Sequence, residues 1–285
     1  MIAVVGSVNI DLVASVRQLP RRGETVPATD FTTVDGGKGA NQAVAAARLG
    51  GDVALIASVG DDSESGRLRA ALVAEGVAVD ALQTEAGSTS GIALITVDST
   101  GENTIAVHPG ANGLLSLTVD SRALLERADI VLMQLEVPIE TVIDAATIAS
   151  GTVIVNAAPA VELPPSLIDQ IDVLIVNEHE RSVVLEGRVE SSVPIVITTL
   201  GAEGASVTMG RETVLVAAPV VDVVDTTGAG DTFCGAFAEA LDRGEDVLDA
   251  VRWATCAGAL ATTRVGARTA MPTRSDMQRE VRKPQ

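Results

Sequence analysis

Short runs of aliphatic and β-branched residues alternate with helical patterns along most of this chain, and no other feature constrains its fold as tightly. Residues 2–5, 53–57, 130–134, 153–156, 173–176 and 195–198 read as strands that are apolar on both faces. Helical patterns over 42–49, 63–75 and 139–148 fall between them. Strands buried on both faces belong to a mostly parallel sheet covered by right-handed crossover helices. The expected fold class is therefore α/β. In such sheets ligands bind beyond the carboxyl ends of the strands. Gly6, Asn156, Asn177 and Thr199 fall at or just past those ends.

Two regions break the rhythm. Residues 12–34 and 91–107 show extended patterns with no helix of similar length between them. Within the second, 91–97 and 103–107 flank Asp98-Ser99-Thr100-Gly101-Glu102, which reads as a hairpin turn. We expect a small β lid, from about 12–34 and 91–107, inserted into a single domain spanning 1–285. The alternative is a pair of edge strands on one continuous sheet. The chain has 285 residues and is 47% hydrophobic, ample for one large core. From Thr273 onward it is polar, as a surface helix or frayed tail would be.

The segment Asp225-Thr226-Thr227-Gly228-Ala229-Gly230-Asp231-Thr232-Phe233 carries the chemistry. Its glycines permit a sharp turn and close approach of a ligand to the backbone. The helix that follows directs unpaired N–H groups and the positive end of its dipole outward, which makes an anion site. A carboxylate there repels phosphate, so Asp231 is out of place in a simple phosphate cradle. It fits if it must take a proton from a hydroxyl that attacks the phosphate. The plainer reading is a first-turn acid. A second glycine-rich stretch, Gly36-Gly37-Lys38-Gly39-Ala40-Asn41, also leads into an apolar helix and favours phosphoryl transfer.

Composition narrows the partners. Net charge is −18 and aromatic residues make up 1% of the chain, with no Tyr. Such a chain lacks both the basic surface and the stacking platforms that nucleic acid requires, and an anionic membrane repels it. Cys234 and Cys256 lie in apolar helical patterns and read as small buried hydrophobes. His108 and His179 have no metal-ligand spacing. No leader or membrane-length apolar run is evident, so a cytoplasmic location is expected. No Walker A loop, dinucleotide fingerprint or protein-kinase motif set occurs.

Six motifs in order resemble those of the PfkB carbohydrate kinases, the ribokinase-like family. They are Gly6-Ser7-Val8-Asn9-Ile10-Asp11, the Gly36–Asn41 stretch, Met133-Gln134-Leu135-Glu136, Asn177-Glu178-His179-Glu180, Thr199-Leu200-Gly201 and the Asp225–Phe233 stretch. Together they are most similar to the ribokinase branch. The resemblance implies a three-layer ribokinase-like fold and transfer of the ATP γ-phosphate to the 5-hydroxyl of D-ribose. Another sugar or a nucleoside (2-deoxyribose, fructose, adenosine) is the alternative acceptor. A non-catalytic sugar-binding regulator would have no need of Asp231.

By the same resemblance, Asp231 is the general base, and Gly228, Ala229 and Gly230 offer amides to the transferring phosphate. Asn9, Asp11, Gly37, Lys38, Gly39, Asn41 and Glu136 contact the sugar with Asp231. Asn177, Thr199, Gly201, Ala202, Glu203, Gly204, Gly230 and Thr255 lie on the nucleotide side. Glu180 serves Mg²⁺ through water. Asp225, Thr227, Ala261, Arg264, Gly266 and Ala270 surround a monovalent cation, usually K⁺. Ala270 stands where Ser is common, which removes one side-chain oxygen, and Thr255 stands where His is common. The family also implies a homodimer joined through the lid strands.

Overall fold

The computed structural model describes residues 1–184 and 192–281. In chain order the strands are β1 (Ile2–Val5), β2 (Asn9–Val16), β3 (Ala28–Gly36), β4 (Val53–Gly60), β5 (Leu82–Glu85), β6 (Gly91–Val97) and β7 (Asn103–His108). They continue as β8 (Ile130–Met133), β9 (Thr152–Asn156), β10 (Val173–Asn177), β11 (Ile195–Thr199), β12 (Ala205–Met209) and β13 (Glu212–Val216). The helices are α1 (Lys38–Arg48), α2 (Ser65–Ala74), α3 (Val119–Arg127), α4 (Ile139–Ile148) and α5 (Pro165–Ile168). After them come α6 (Glu178–Val184), α7 (Ala229–Asp242), α8 (Val247–Ala261), α9 (Ala267–Ala270) and α10 (Arg274–Val281).

Nine strands form the main sheet in the order β13-β12-β11-β10-β9-β8-β1-β4-β5. All pairings are parallel except β11–β12 and β12–β13. The three layers follow from β1, which is apolar at every position. Ile2 and Val4 join the cluster with α1, α7 and α8, while Ala3 and Val5 join the cluster on the opposite face with α3 and α4. A strand sandwiched this way has no polar side to show, so its sequence does not alternate. This is the expected α/β architecture with a mostly parallel central sheet.

Helix starts have local causes. Thr118 caps α3 by accepting the Ser121 amide, and Asp246 caps α8 by accepting the Asp249 amide. α1 begins at Lys38, one turn earlier than the apolar pattern indicates, so Gly39 and Asn41 are helical. Gly37 turns the chain into it with φ of 88°. A Cβ on Gly39 would lie 2.6 Å from the Gly6 carbonyl carbon and the Ser7 nitrogen. The glycine is therefore there to let α1 touch the end of β1.

β3, β2, β6 and β7 make a separate four-stranded sheet in that order. β2 pairs β3 antiparallel over Asn9–Gly36 to Val16–Ala28 and pairs β6 in parallel. Asp11 lies opposite Val34 and Ala93, and Ala93 lies opposite Val107, so these four share one face. Val13, Ile95 and Ile105 continue that face outward. Val34, Ile105 and Val107 are exposed there, as are Phe31 and Leu94 on the other face.

Near the end of the chain, residues 274–281 are helical and bury Met277, while 282–285 lie outside the described residues. Cys234 is buried as expected, but Cys256 is only half-buried, because α8 turns that side toward Arg243 and Trp253 at the surface. Cys234 is a free thiol. Among the described residues no helix is long and apolar enough to cross a membrane.

α7 packs against α1 through Gly235. A Cβ there would lie 2.4 Å from the Gln42 carbonyl oxygen and 2.7 Å from Ala45 Cβ. Gly235→Ala should cost about 1–3 kcal/mol through overpacking, read as a lower urea midpoint at unchanged slope. An unaltered midpoint would show that the two helices can part freely.

Candidate active site

The carboxyl ends of β1, β8, β9, β10 and β11 meet the N-termini of α1 and α7. Between them lies a cavity of about 170 Å³ lined by Lys38, Asn156, Asn177, Glu180, Thr199, Gly228, Gly230 and Asp231, among others. A larger recess, about 660 Å³, opens at the other ends of β8–β11, but it gathers no base and anion site together.

Asp231 is in the first turn of α7, whose entry is Gly228 in the left-handed region (φ 75°). A Cβ on Gly228 would sit 2.9 Å from Ala267, so both backbone geometry and space require glycine. Each carboxylate oxygen of Asp231 accepts one amide hydrogen: Oδ2 from Asn41 Nδ2 and Oδ1 from Gln42 Nε2, both at 3.0 Å. Each oxygen keeps a lone pair for another donor. Of the three amides expected to face an anion, that of Ala229 donates to the Thr226 carbonyl at 3.2 Å. Those of Gly228 and Gly230, which line the cavity, remain open among the described residues.

Lys38 lines this cavity with Asn177, Glu180, Thr199 and Gly230, although its motif resembles a sugar-side one. Burial would pull its ammonium pKa down, but the carboxylates of Asp231, Glu136 and Glu180 outweigh that and raise it. It is thus a fixed cation beside the carboxylate and the open amides, where a phosphoryl group would need one.

The sugar-side residues gather around the start of β2. Asn9 is buried, and its Oδ1 accepts Asn112 Nδ2 at 2.7 Å. Glu136 Oε2 accepts the Ser7 hydroxyl at 2.5 Å and the Lys38 amide at 3.2 Å. Gly36 is glycine because a Cβ would lie 2.2 Å from both Asp11 carboxylate oxygens. Gly37 would bring its Cβ within 2.7 Å of the Asn9 nitrogen. Asn41 is engaged at both ends of its amide, with Oδ1 accepting Arg268 Nε at 2.9 Å. It retains one N–H.

Asp11 Oδ1 is buried, with no hydrogen-bond partner among the described residues. Burial, together with the nearby carboxylates of Glu136, Asp231 and Asp35, pushes its pKa up to about 6 against the pull of Arg268. An unpartnered buried acceptor costs free energy unless a ligand donor meets it. A vicinal diol supplies such donors.

Asn177 and Glu180 form a reciprocal cap at the start of α6. The Asn177 amide donates to Glu180 Oε2 at 2.8 Å, and the Glu180 amide donates to Asn177 Oδ1 at 2.7 Å. Burial raises the Glu180 pKa, opposed by the Asn177 amide and Lys38. Thr199 ends β11 at the cavity. The turn after it, Gly201–Glu203, closes by the Leu200 amide donating to Gly204 O at 2.8 Å, with Ala202 and Glu203 exposed. Thr255 is buried in α8 and does not line the cavity.

Asp225 Oδ1 accepts the amide and hydroxyl of Thr227 at 2.9 and 2.6 Å, and Oδ2 accepts the Gly266 amide at 2.7 Å. These bonds outweigh its burial and hold its pKa below the usual range. They join three of the predicted cation residues into one loop cluster. Ala261 ends α8, and Ala270 is buried at the end of α9. Arg264 is exposed and points to Asp276 at 4.0 Å. Among the described residues no cluster of three His, Cys, Asp or Glu side chains could hold a metal.

Sequence reasoning passed over Ser7, Gln42, Asn112, Gln134 and Arg268. All five are buried polar residues. Ser7, Gln42 and Gln134 sit inside the quoted motifs or beside them, so their signal was present.

Comparison with known proteins gives the family. The model of the pfkB family of carbohydrate kinases matches residues 1–274. A ribokinase of Bacillus subtilis is 40% identical over 97% of this chain and 98% of its own length. The crystal structure of a Thermotoga maritima ribokinase superposes with a TM-score of 0.91 at 34% identity, covering 99% of each chain. Arabidopsis thaliana ribokinase complexed with ribose and ATP superposes with a TM-score of 0.89 at 31% identity, again over 99% of each chain.

The raised Asp11 pKa predicts a pH-dependent stability in the ligand-free protein. Asp11 binds its proton more tightly folded than unfolded. Its contribution is full below pH 3.8, the unfolded value, and is lost as pH rises through about 6. Asp11→Asn should therefore melt like the parent near pH 3.5 and gain roughly 3 kcal/mol over it by pH 7.5. Parallel stability curves for the two proteins would contradict the strained carboxylate.

Proposed function

We infer that this chain, which belongs to the pfkB family of carbohydrate kinases, transfers the γ-phosphate of ATP to the 5-hydroxyl of D-ribose, giving D-ribose 5-phosphate and ADP. One observation carries the reading. The Asp231 carboxylate, held by two amides, shares a cavity with Lys38 and with two open amides at a helix N-terminus. That cavity joins a proton acceptor to an anion site, and the likeness to ribokinases spans the chain.

Phosphoryl transfer has a loose transition state, so the protein mainly positions and neutralises. Asp231 accepts the proton of the attacking hydroxyl on a free lone pair. The amides of Gly228 and Gly230, the α7 dipole and Lys38 oppose the charge on the transferred group. Asn9, Asp11 and Glu136 orient the sugar by accepting its hydroxyl hydrogens, with Gly37 and Gly39 allowing close backbone approach. On the nucleotide side, Thr199 and the 201–204 turn border the phosphates. The exposed Val220, Val223, Val224 and Val265 offer an apolar shelf for the base beside the same helix start.

Mg²⁺ accompanying the nucleotide would neutralise phosphate charge. Glu180, half-buried at the cavity with one oxygen outside its cap, suits a hydrated Mg²⁺ held through water. The Asp225 loop offers one carboxylate and backbone carbonyls, hard oxygen donors that suit K⁺, with Ala270 adding none. ATP as donor fits a cytoplasmic enzyme.

The separate sheet is a lid in this reading. The face that begins with Asn9 and Asp11 continues through Val13, Ile95, Ile105 and Val107, so folding it over the sugar excludes water from the reaction. Its exposed apolar residues also fit pairing with the lid of a second copy.

The decisive experiment is coupled ADP release with Mg·ATP against D-ribose, 2-deoxyribose, fructose and adenosine, each in Na⁺ or K⁺. Strong preference for ribose is expected, and preference for another acceptor would overturn the substrate. Asp231→Asn should keep ATP affinity while kcat falls about 10²- to 10⁴-fold. Asp11→Ala should raise the ribose KM far more than the ATP KM. For the assembly, Ile105→Lys should convert a dimer to a monomer by sedimentation. A parent that already sediments as a monomer would remove the pairing.

A further inference from the structure

The Asp231 carboxylate can turn about its χ2 bond, and its value as a base depends on which oxygen, at what angle, meets the hydroxyl. Two amides hold it, one per oxygen. An amide does this only if its nitrogen faces the carboxylate. Turned over, it would present an oxygen and repel it. A hydrogen-bond network fixes which way each amide faces when it ends in groups with a single possible role.

Both sides of this network end that way. On one side Arg268, which only donates, gives Nε to Asn41 Oδ1 at 2.9 Å and Nη2 to the Gly36 carbonyl at 2.8 Å. Asn41 must therefore turn its nitrogen to Asp231. On the other side the Ile175 carbonyl, which only accepts, takes Asn156 Nδ2 at 3.3 Å. Asn156 Oδ1 then faces Gln42 and accepts Nε2 at 3.0 Å, while the second hydrogen of the same nitrogen goes to Asp231. Gln42 Oε1 is left pointing at Gln134 Nε2, 2.6 Å away. Every hydrogen-bond direction is forced.

Gln42 and Gln134 are fully buried, and Arg268 is 9% exposed. Among the described residues Gln134 Oε1 has no hydrogen-bond partner, so this side chain is kept in the interior at a cost. Among them its side chain bonds Gln42 alone. We propose that Gln134 and Arg268 are positioning residues for the phosphoryl transfer, fixing the Asp231 carboxylate through Gln42 and Asn41. The proposal rests on the reading of Asp231 as the base.

Removing the Gln134 donor leaves Gln42 Oε1 buried and unmatched, so only Asn156 still orients the amide and its hold on Asp231 loosens. Gln134→Met, close in volume, should lower kcat about 10- to 100-fold, the value of a buried hydrogen bond on a charged group. KM for ribose and for ATP should stay near the parent's. Arg268→Met should act in the same direction, and Arg268→Lys, which keeps a donor, should recover part of the lost kcat.

The test that a merely structural role would not pass is a double-mutant cycle. In an Asp231→Asn background, Gln134→Met should cost nothing further in residual turnover. An equal fold-loss in both backgrounds, or a full kcat in Gln134→Met alone, would overturn the proposal. If Gln134→Met does not fold, the Arg268→Lys and Arg268→Met pair in both backgrounds decides by the same criterion. Failure of the parent to phosphorylate any acceptor, or full activity of Asp231→Asn, would instead sink the reading on which the proposal rests.

Discussion

The close packing of α7 on α1 is the constraint on which the site depends. Asp231 belongs to α7, while Lys38, Asn41 and Gln42 belong to α1. Their contacts at 3.0 Å exist only because Gly235 lets the two backbones approach. Gly39 does the same between α1 and the end of β1. Glycines in and beside the motifs thus serve interlocking surfaces. Interiors are packed too densely to absorb a methyl group at such points.

Charge is the second organising term. Asp11, Asp35, Glu136, Glu180 and Asp231 converge on a region whose fixed cations are Lys38 and Arg268. Burial pushes the Arg268 pKa down against the pull of the surrounding carboxylates, yet its guanidinium chemistry keeps it a cation. An excess of carboxylates suits a neutral polyol, whose hydroxyls donate. It would expel a phosphate, and the helix start at Gly228 with Lys38 counters that on the other side of Asp231. The same carboxylate that belongs to the acid-rich half therefore borders the anion-binding half.

Contiguous signals were the legible ones. The non-alternating strands disclosed a parallel sheet, and the 225–233 and 36–41 stretches disclosed sharp turns into helices, because each encodes a local backbone shape. What stayed hidden depends on partners far along the chain. Arg268 meets Asn41 across 227 residues, and Asn112 meets Asn9 across 103. Neither residue type nor spacing announces such a pairing. Lys38 was assigned by its motif to the sugar, and helix geometry sets it in the cavity beside Gly228, Gly230 and Asp231. β12 and β13 carry polar residues on one face of an antiparallel edge, so they lack the apolar signature of the central strands. The half-exposure of Cys256 followed from which side α8 turns outward, a property of packing rather than of periodicity.

The placement of Asn9 and Asp11 has a mechanical consequence. They occupy the first and third positions of β2, at the root of the separate sheet, while Ile105 and Val13 lie further out. The main chain passes between the two sheets beside them at Gly37 and Gly91, where an atom of Asn9 takes the space that a Cβ would need. If that sheet closes as proposed, a ligand gripped there acts at the pivot, with a very short lever arm. Small changes in its hydroxyl pattern translate into large displacements at the tip. Selectivity is then read at the hinge axis, and the outer rungs need only be apolar and stiff.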